Sequence, residues 1–204
     1  MRALLLIDLQ YDFCPGGALA VANGHETIPV ANRLMPKFST IVATQDWHPA
    51  HHGSFAVNHP GKKPYDMHEL AGLPQVMWPA HCVQNTPGAE LHRDLDRNLI
   101  TEVFQKGTDP AIDSYSGFYD NGHRKATGLG DWLKQRDIKH VYVMGLATDY
   151  CVKFTTLDAR QLGFDVSLVV DGCRGVNLNP DDSAKAIEEM RAAGVVIVES
   201  KDVE

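Results

Sequence analysis

The sequence is poor in the features that would set it apart from ordinary globular proteins. No apolar run approaches the roughly 20 residues that cross a bilayer, so no membrane partner is expected. Basic residues are outnumbered: 19 Lys plus Arg stand against 26 Asp plus Glu, a formal charge of −7. That balance argues against nucleic acid as a partner. Cysteines are few, four in 204 residues, with no CxxC pair. Such spacing reads as reduced thiols in a cytoplasm, not as a disulfide framework. The chain also lacks an internal repeat, a low-complexity segment and a linker, so one domain over residues 1–204 is expected. Met1-Arg2-Ala3 leads into an apolar run that stops at Asp8 with no small-residue cleavage site, so no secretory signal is expected. What is present is a hydrophobic fraction of 44%, enough for a sizeable core. Seven of the ten histidines fall between positions 48 and 92, which raises a metal site in that stretch.

Apolar runs alternate with helical patterns. Ala3–Leu9 reads as a strand buried on both faces. A helix is expected over Ile28–Phe38, its end blurred by Pro36. Strands follow at Thr40–Thr44, Glu102–Gln105, His140–Leu146, Asp165–Val170 and Val195–Glu199. Between them lie a helix ending over Gly130–Arg136, a helix over Thr148–Leu162 and a helix over Asp181–Ala193. Thr148 and Asp181 are the expected N-caps, with Gly163 and Gly194 as the stops. Residues 46–98 show little regular pattern, and a connection that long is usually functional. The alternation predicts an α/β domain with a mostly parallel sheet.

Open parallel sheets bind ligands outside the carboxyl ends of their strands. In strand order those ends offer Asp8, then Asp46-Trp47-His48, then Lys106, then a turn holding Cys151. A thiol in the first helical turn faces the positive end of the helix dipole, which favours thiolate, and Lys106 would act in the same sense. Asp8 could take the thiol proton and return it. Cys14, Cys82 and Cys173 read instead as small buried hydrophobes. Asp46 and His48, two apart in an extended segment, point to one side. His81, in a stiff Trp-Pro context, is the best placed third ligand, while His51 and His52 read as exposed loop residues. One carboxylate and two imidazoles suit a single divalent ion: Zn²⁺ first, with Fe²⁺ or Mn²⁺ as alternatives.

Four strings carry a resemblance: Leu6-Ile7-Asp8-Leu9-Gln10-Tyr11-Asp12-Phe13, Gln45-Asp46-Trp47-His48-Pro49, Trp78-Pro79-Ala80-His81-Cys82-Val83 and Gly145-Leu146-Ala147-Thr148-Asp149-Tyr150-Cys151-Val152. In order and spacing they resemble the nicotinamidase/pyrazinamidase branch of the isochorismatase-like cysteine hydrolase superfamily, from residue 3 to near the C-terminus. The resemblance implies a six-stranded sheet in the order 3-2-1-4-5-6 with helices on both faces. It implies Asp8, Lys106 and Cys151 as catalytic triad, and Asp46, His48 and His81 as metal ligands. Phe13, Trp78 and Tyr115 would wall a pyridine ring, and the backbone N–H groups of Ala147 and Cys151 would form an oxyanion hole. A cis peptide between Leu146 and Ala147 is implied as well. The implied reaction converts nicotinamide to nicotinate and ammonia through a cysteine thioester, in NAD salvage, with pyrazinamide as a further substrate. Some members place another histidine ligand eight residues after the metal-binding aspartate, where this chain has Ser54. That serine is expected to hold a coordinating water or to leave three protein ligands.

Other readings of the same residues differ in what they require. Hydrolases of the superfamily that act on isochorismate or an N-carbamoyl compound do not need the Asp46-x-His48 pair. A metallohydrolase using metal-bound hydroxide alone would not need Cys151. A binding module that had lost its chemistry would have lost one of Asp8, Lys106 and Cys151, and all three are present. Assembly into a homo-oligomer stays open.

Overall fold

Residues 3–7 are apolar at every position, so neither face of that segment can meet water, and each is wholly buried. This segment is the heart of strand β1 (Arg2–Ile7) in the computed structural model, which describes residues 1–204. Around it stand β2 (Ile41–Asp46), β5 (Glu102–Lys106), β6 (His140–Leu146), β7 (Asp165–Arg174) and β8 (Val196–Val198). All pair in parallel, in the order β5-β2-β1-β6-β7-β8. Counted within this sheet, the order is 3-2-1-4-5-6, as the resemblance implied. Helices α1 (Thr27–Leu34), α2 (Leu129–Lys134), α3 (Lys153–Gln161) and α4 (Asp182–Ala192) complete the α/β domain, with α1 and α3 packed on β7.

Several boundaries differ from expectation for local reasons. The first helix stops at Leu34 and tightens into a 3₁₀ turn over Met35–Lys37, where Pro36 brings no N–H. Residues 148–152 form a π-helical turn, so Thr148 is not an N-cap; that place falls to Ala147, and no side chain caps the turn. Asp181 precedes α4 but pairs with Lys185 instead of capping it. Gly163 and Gly194 do end α3 and α4, with φ of +89° and +84°. Strand β7 runs on to Arg174 past an irregularity opposite Val143–Gly145.

The stretch 46–98 is not wholly irregular. It contains an antiparallel hairpin, β3 (Met67–Leu70) and β4 (Leu73–Val76), forming a separate two-stranded sheet. Ala71 and Gly72 make its turn, both with positive φ (55° and 78°), as tight hairpins require.

The topology decides where chemistry can sit. The chain leaves β1 toward β2 on one side, and β6 lies on the other, so the crevice at the carboxyl end opens between β1 and β6. Asp8 follows β1, and Cys151 lies in the turn after β6.

Candidate active site

Adjacent strand ends bring four distant segments together. Asp46 and Lys106 are direct partners in the β2–β5 ladder, so their side chains leave the sheet edge side by side. Lys106 Nζ lies 2.5 Å from Asp46 Oδ1, 3.0 Å from Asp8 Oδ2 and 3.3 Å from Cys151 Sγ, and donates to the Ser114 carbonyl at 3.0 Å. Both carboxylates and the ammonium are buried. Asp8 has φ +49° and is clamped by Thr44 on β2: its N–H donates to Thr44 Oγ1, whose hydroxyl donates to Asp8 Oδ1 at 2.6 Å. Oδ2 pairs with the Lys106 ammonium, and a carboxylate oxygen of Asp8 lies within 4.8 Å of Cys151 Sγ. Asp8 thus has one oxygen anchored by Thr44 and one by Lys106, with the carboxylate near the thiol.

Asp46 also faces two imidazoles. His48 Nε2 is 3.5 Å and His81 Nε2 3.7 Å from its Oδ2. The second nitrogen of each ring is fixed by the backbone: His48 Nδ1 donates to the Gly107 carbonyl and His81 Nδ1 to the Pro79 carbonyl, both at 2.8 Å. That tautomer leaves each Nε2 with its lone pair toward Asp46, the arrangement a cation needs. Gly107 is required here, since a Cβ at this position would lie 2.3 Å from the His48 ring.

These groups lie at a small cavity. Phe13, Trp78, Tyr115 and Tyr150 supply aromatic walls, while Asp46, His48, His81, Asp113, Ala147 and Cys151 supply polar and reactive groups. Trp78 and Tyr150 meet edge to face at 4.9 Å, Tyr115 and Tyr150 at 5.4 Å. The Leu146–Ala147 peptide is cis.

A family model, the Isochorismatase domain, matches residues 2–202. The chain belongs to the isochorismatase family. Over its whole length it is 56% identical to the nicotinamidase of Escherichia coli (strain K12), covering 97% of that protein. Its structure is similar to that of an Acinetobacter baumanii nicotinamidase/pyrazinamidase, with a TM-score of 0.97, 45% identity, and 100% of this chain and 98% of the other covered. It is also similar to a pyrazinamidase of Pyrococcus horikoshii in complex with zinc, with a TM-score of 0.79, 40% identity and coverage of 97% and 98%.

Within this member of the isochorismatase family, every site residue named from the sequence lies at or around one cavity, but three features depart from the sequence reading. Burial pushes the Cys151 thiol well above its usual range, with Lys106 pulling the other way, so the resting sulfur is a thiol and not the dipole-stabilised thiolate expected. Burial raises Asp8 too, against the pull of Lys106. For Asp46 burial is outweighed by Lys106 and His48, which hold the carboxyl well below the usual carboxylate range. Burial would lower Lys106, but Asp46 and Asp8 keep it firmly charged.

His52 is not an exposed loop residue. It is wholly buried, its ring 4.4 Å from that of His48, and burial followed by the nearby His48 lowers it to about 4. The Ser54 N–H donates to His52 Nδ1, so the neutral ring carries its proton on Nε2, and that atom has no partner. Ser54 Oγ also lies on His52 Nδ1, at 2.8 Å. Asp113 was not singled out from the sequence, yet it lies in the cavity with an oxygen within 4.8 Å of the His48 and His52 nitrogens. The only sequence signal for these two was position: His52 sits in the histidine-rich stretch, and Asp113 stands two residues before Tyr115.

Proposed function

We propose that this chain is a nicotinamidase, which hydrolyses the carboxamide of nicotinamide to nicotinate and ammonia, and that it accepts pyrazinamide as well. The observation that carries the reading is Lys106, whose buried ammonium touches Asp8 and the Asp46 and Cys151 that line an aromatic-walled cavity. The high identity to a curated nicotinamidase supports it.

Phe13, Trp78 and Tyr115 sandwich the pyridine ring and set the carboxamide carbon over Cys151 Sγ. The Asp8 carboxylate takes the thiol proton as sulfur attacks and the S–C bond forms. Lys106 stabilises the charged intermediate pair. The backbone N–H groups of Ala147 and Cys151 receive the oxyanion, a kind of contribution worth about 3–4 kcal/mol per donor elsewhere. Asp8 passes its proton to the amide nitrogen, the C–N bond breaks and ammonia leaves. Water, deprotonated by Asp8, attacks the thioester; the C–S bond breaks, and the proton returns to Cys151. A raised Asp8 suits this shuttle, because a carboxyl that binds its proton firmly can both take and give it.

Asp46, His48 and His81 fit a divalent cation, by their donor set, their burial and their fixed tautomers. Zn²⁺ is our first choice, supported by the zinc complex of the Pyrococcus relative, with Fe²⁺ or Mn²⁺ compatible with the same ligands. Such an ion would supply a Lewis-acidic point for the pyridine nitrogen. His52 Nε2–H and Asp113 would then offer a donor and an acceptor beside it. We place the enzyme in the cytoplasm, in NAD salvage. All four cysteines are free and buried, which supports a reducing compartment, and no helix is long and apolar enough to cross a membrane.

Ammonia release from nicotinamide tests the proposal. The wild-type chain is expected to release it, and Cys151→Ala to release none while still binding nicotinamide. Substantial turnover by Cys151→Ala would end the thioester route.

A further inference from the structure

The β3–β4 hairpin pairs with no strand of the main sheet, and a lone two-stranded hairpin is at best marginally stable. Its strand residues are exposed or half-buried with one exception: Gln75, 3% exposed. Gln75 Nε2 lies 2.9 Å from each of Asp113 Oδ2, Tyr115 Oη and the Val76 carbonyl, so its two amide hydrogens are shared among three acceptors, two of them on the cavity wall. Tyr115 Oη also receives the Trp78 indole N–H at 3.2 Å, so Gln75 and Trp78 together fix that ring. The second Asp113 oxygen accepts from the Ser114 N–H. The other polar anchor of the hairpin tip is Arg124, which donates to the Ala71 carbonyl on the surface. Pro74 and Val76 line a neighbouring groove that shares Tyr115 and Tyr150 with the Cys151 cavity.

We propose that Gln75 is a positioning residue that latches the hairpin to the cavity wall and, through the same amide, sets the Tyr115 ring and the Asp113 carboxylate. It touches no reacting atom. The inference rests on the nicotinamidase reading for its kinetic consequences, but the latch itself has a readout free of substrate. Trypsin cleavage after Lys62, at the base of the hairpin, reports its opening.

Gln75→Leu keeps the bulk and removes both donors. It is expected to raise KM for nicotinamide about tenfold with kcat changed less than about threefold, and to speed cleavage after Lys62 about tenfold, with Tm lowered by only a few degrees. Tyr115→Phe removes one acceptor without altering the hairpin, and carries the test where Gln75→Leu does not fold. It must also speed cleavage after Lys62, which loss of a ring-binding surface alone would not do. The double variant must cleave no faster than Gln75→Leu. Cleavage at the wild-type rate in both variants, or an equal acceleration of cleavage at sites remote from the hairpin, overturns the latch. Wild type without nicotinamide turnover would end the nicotinamidase reading, and the cleavage rates would still decide the latch.

Discussion

Lys106 balances two buried carboxylates with one charge. Removing one partner of a buried ionic cluster leaves its counterpart without compensation, which costs about 3–5 kcal/mol. Lys106→Met in the metal-free protein is therefore expected to lower denaturant-midpoint stability by about that amount, and to abolish turnover. A stability equal to wild type would show that Asp8 and Asp46 do not depend on the ammonium. His48 separates a different function. His48→Ala is expected to lose bound metal on elemental analysis and to weaken nicotinamide binding at least about 100-fold, more than outer-sphere changes cost. Retained stoichiometric metal would move the ion elsewhere. Most of this site was legible because each group sits at a strand end, and strand ends can be found from apolar runs. His52 was not, because adjacent His51 and His52 offer no periodicity; only the fold turns the first outward and the second into the cluster. Nor was the state of Cys151, since the dipole argument omits desolvation, which here is the larger effect.

At the scale of elements, β5 is short and mostly exposed, whereas β1, β2 and β6 were found because they are largely buried and apolar. The β3–β4 hairpin escaped notice for the opposite reason. Its strands have four residues each, nearly all exposed or half-buried; one contains Pro74, and Ala71 stands in its turn where Asn or Asp would have signalled a hairpin. The π-helical turn at Thr148–Val152 escaped because its sequence, with a Thr followed by an Asp, reads as an ordinary helix start. Strand β6 depends on Gly145 for its approach to β1. With φ +128°, a Cβ there would lie 2.2 Å from the Ile7 carbonyl oxygen, at the point where Asp8 leaves the sheet. Gly145→Ala is expected to cost about 3 kcal/mol or more in stability, by backbone strain and a clash with rigid neighbours, and to reduce activity in the fraction that folds. Wild-type stability on chemical denaturation would mean that β1 and β6 can separate without harm.

At the scale of the whole molecule, the fold places acid, ammonium and thiol in one crevice from three strand ends, and borders it with aromatic rings contributed by loops. The alternation of elements predicts a mostly parallel sheet, while its order was implied by the family resemblance. The enclosure follows from the long stretch between β2 and β5, whose length was visible and whose shape was not. The central claim is that Cys151 becomes acylated. Intact-mass analysis of the enzyme quenched in acid during turnover of nicotinamide tests it most directly. The account predicts a species heavier by one nicotinoyl group, mapped by peptide analysis to Cys151 and missing from Cys151→Ala and Asp8→Asn. Full turnover with no adduct at Cys151, under quench conditions that preserve a thioester, would contradict it.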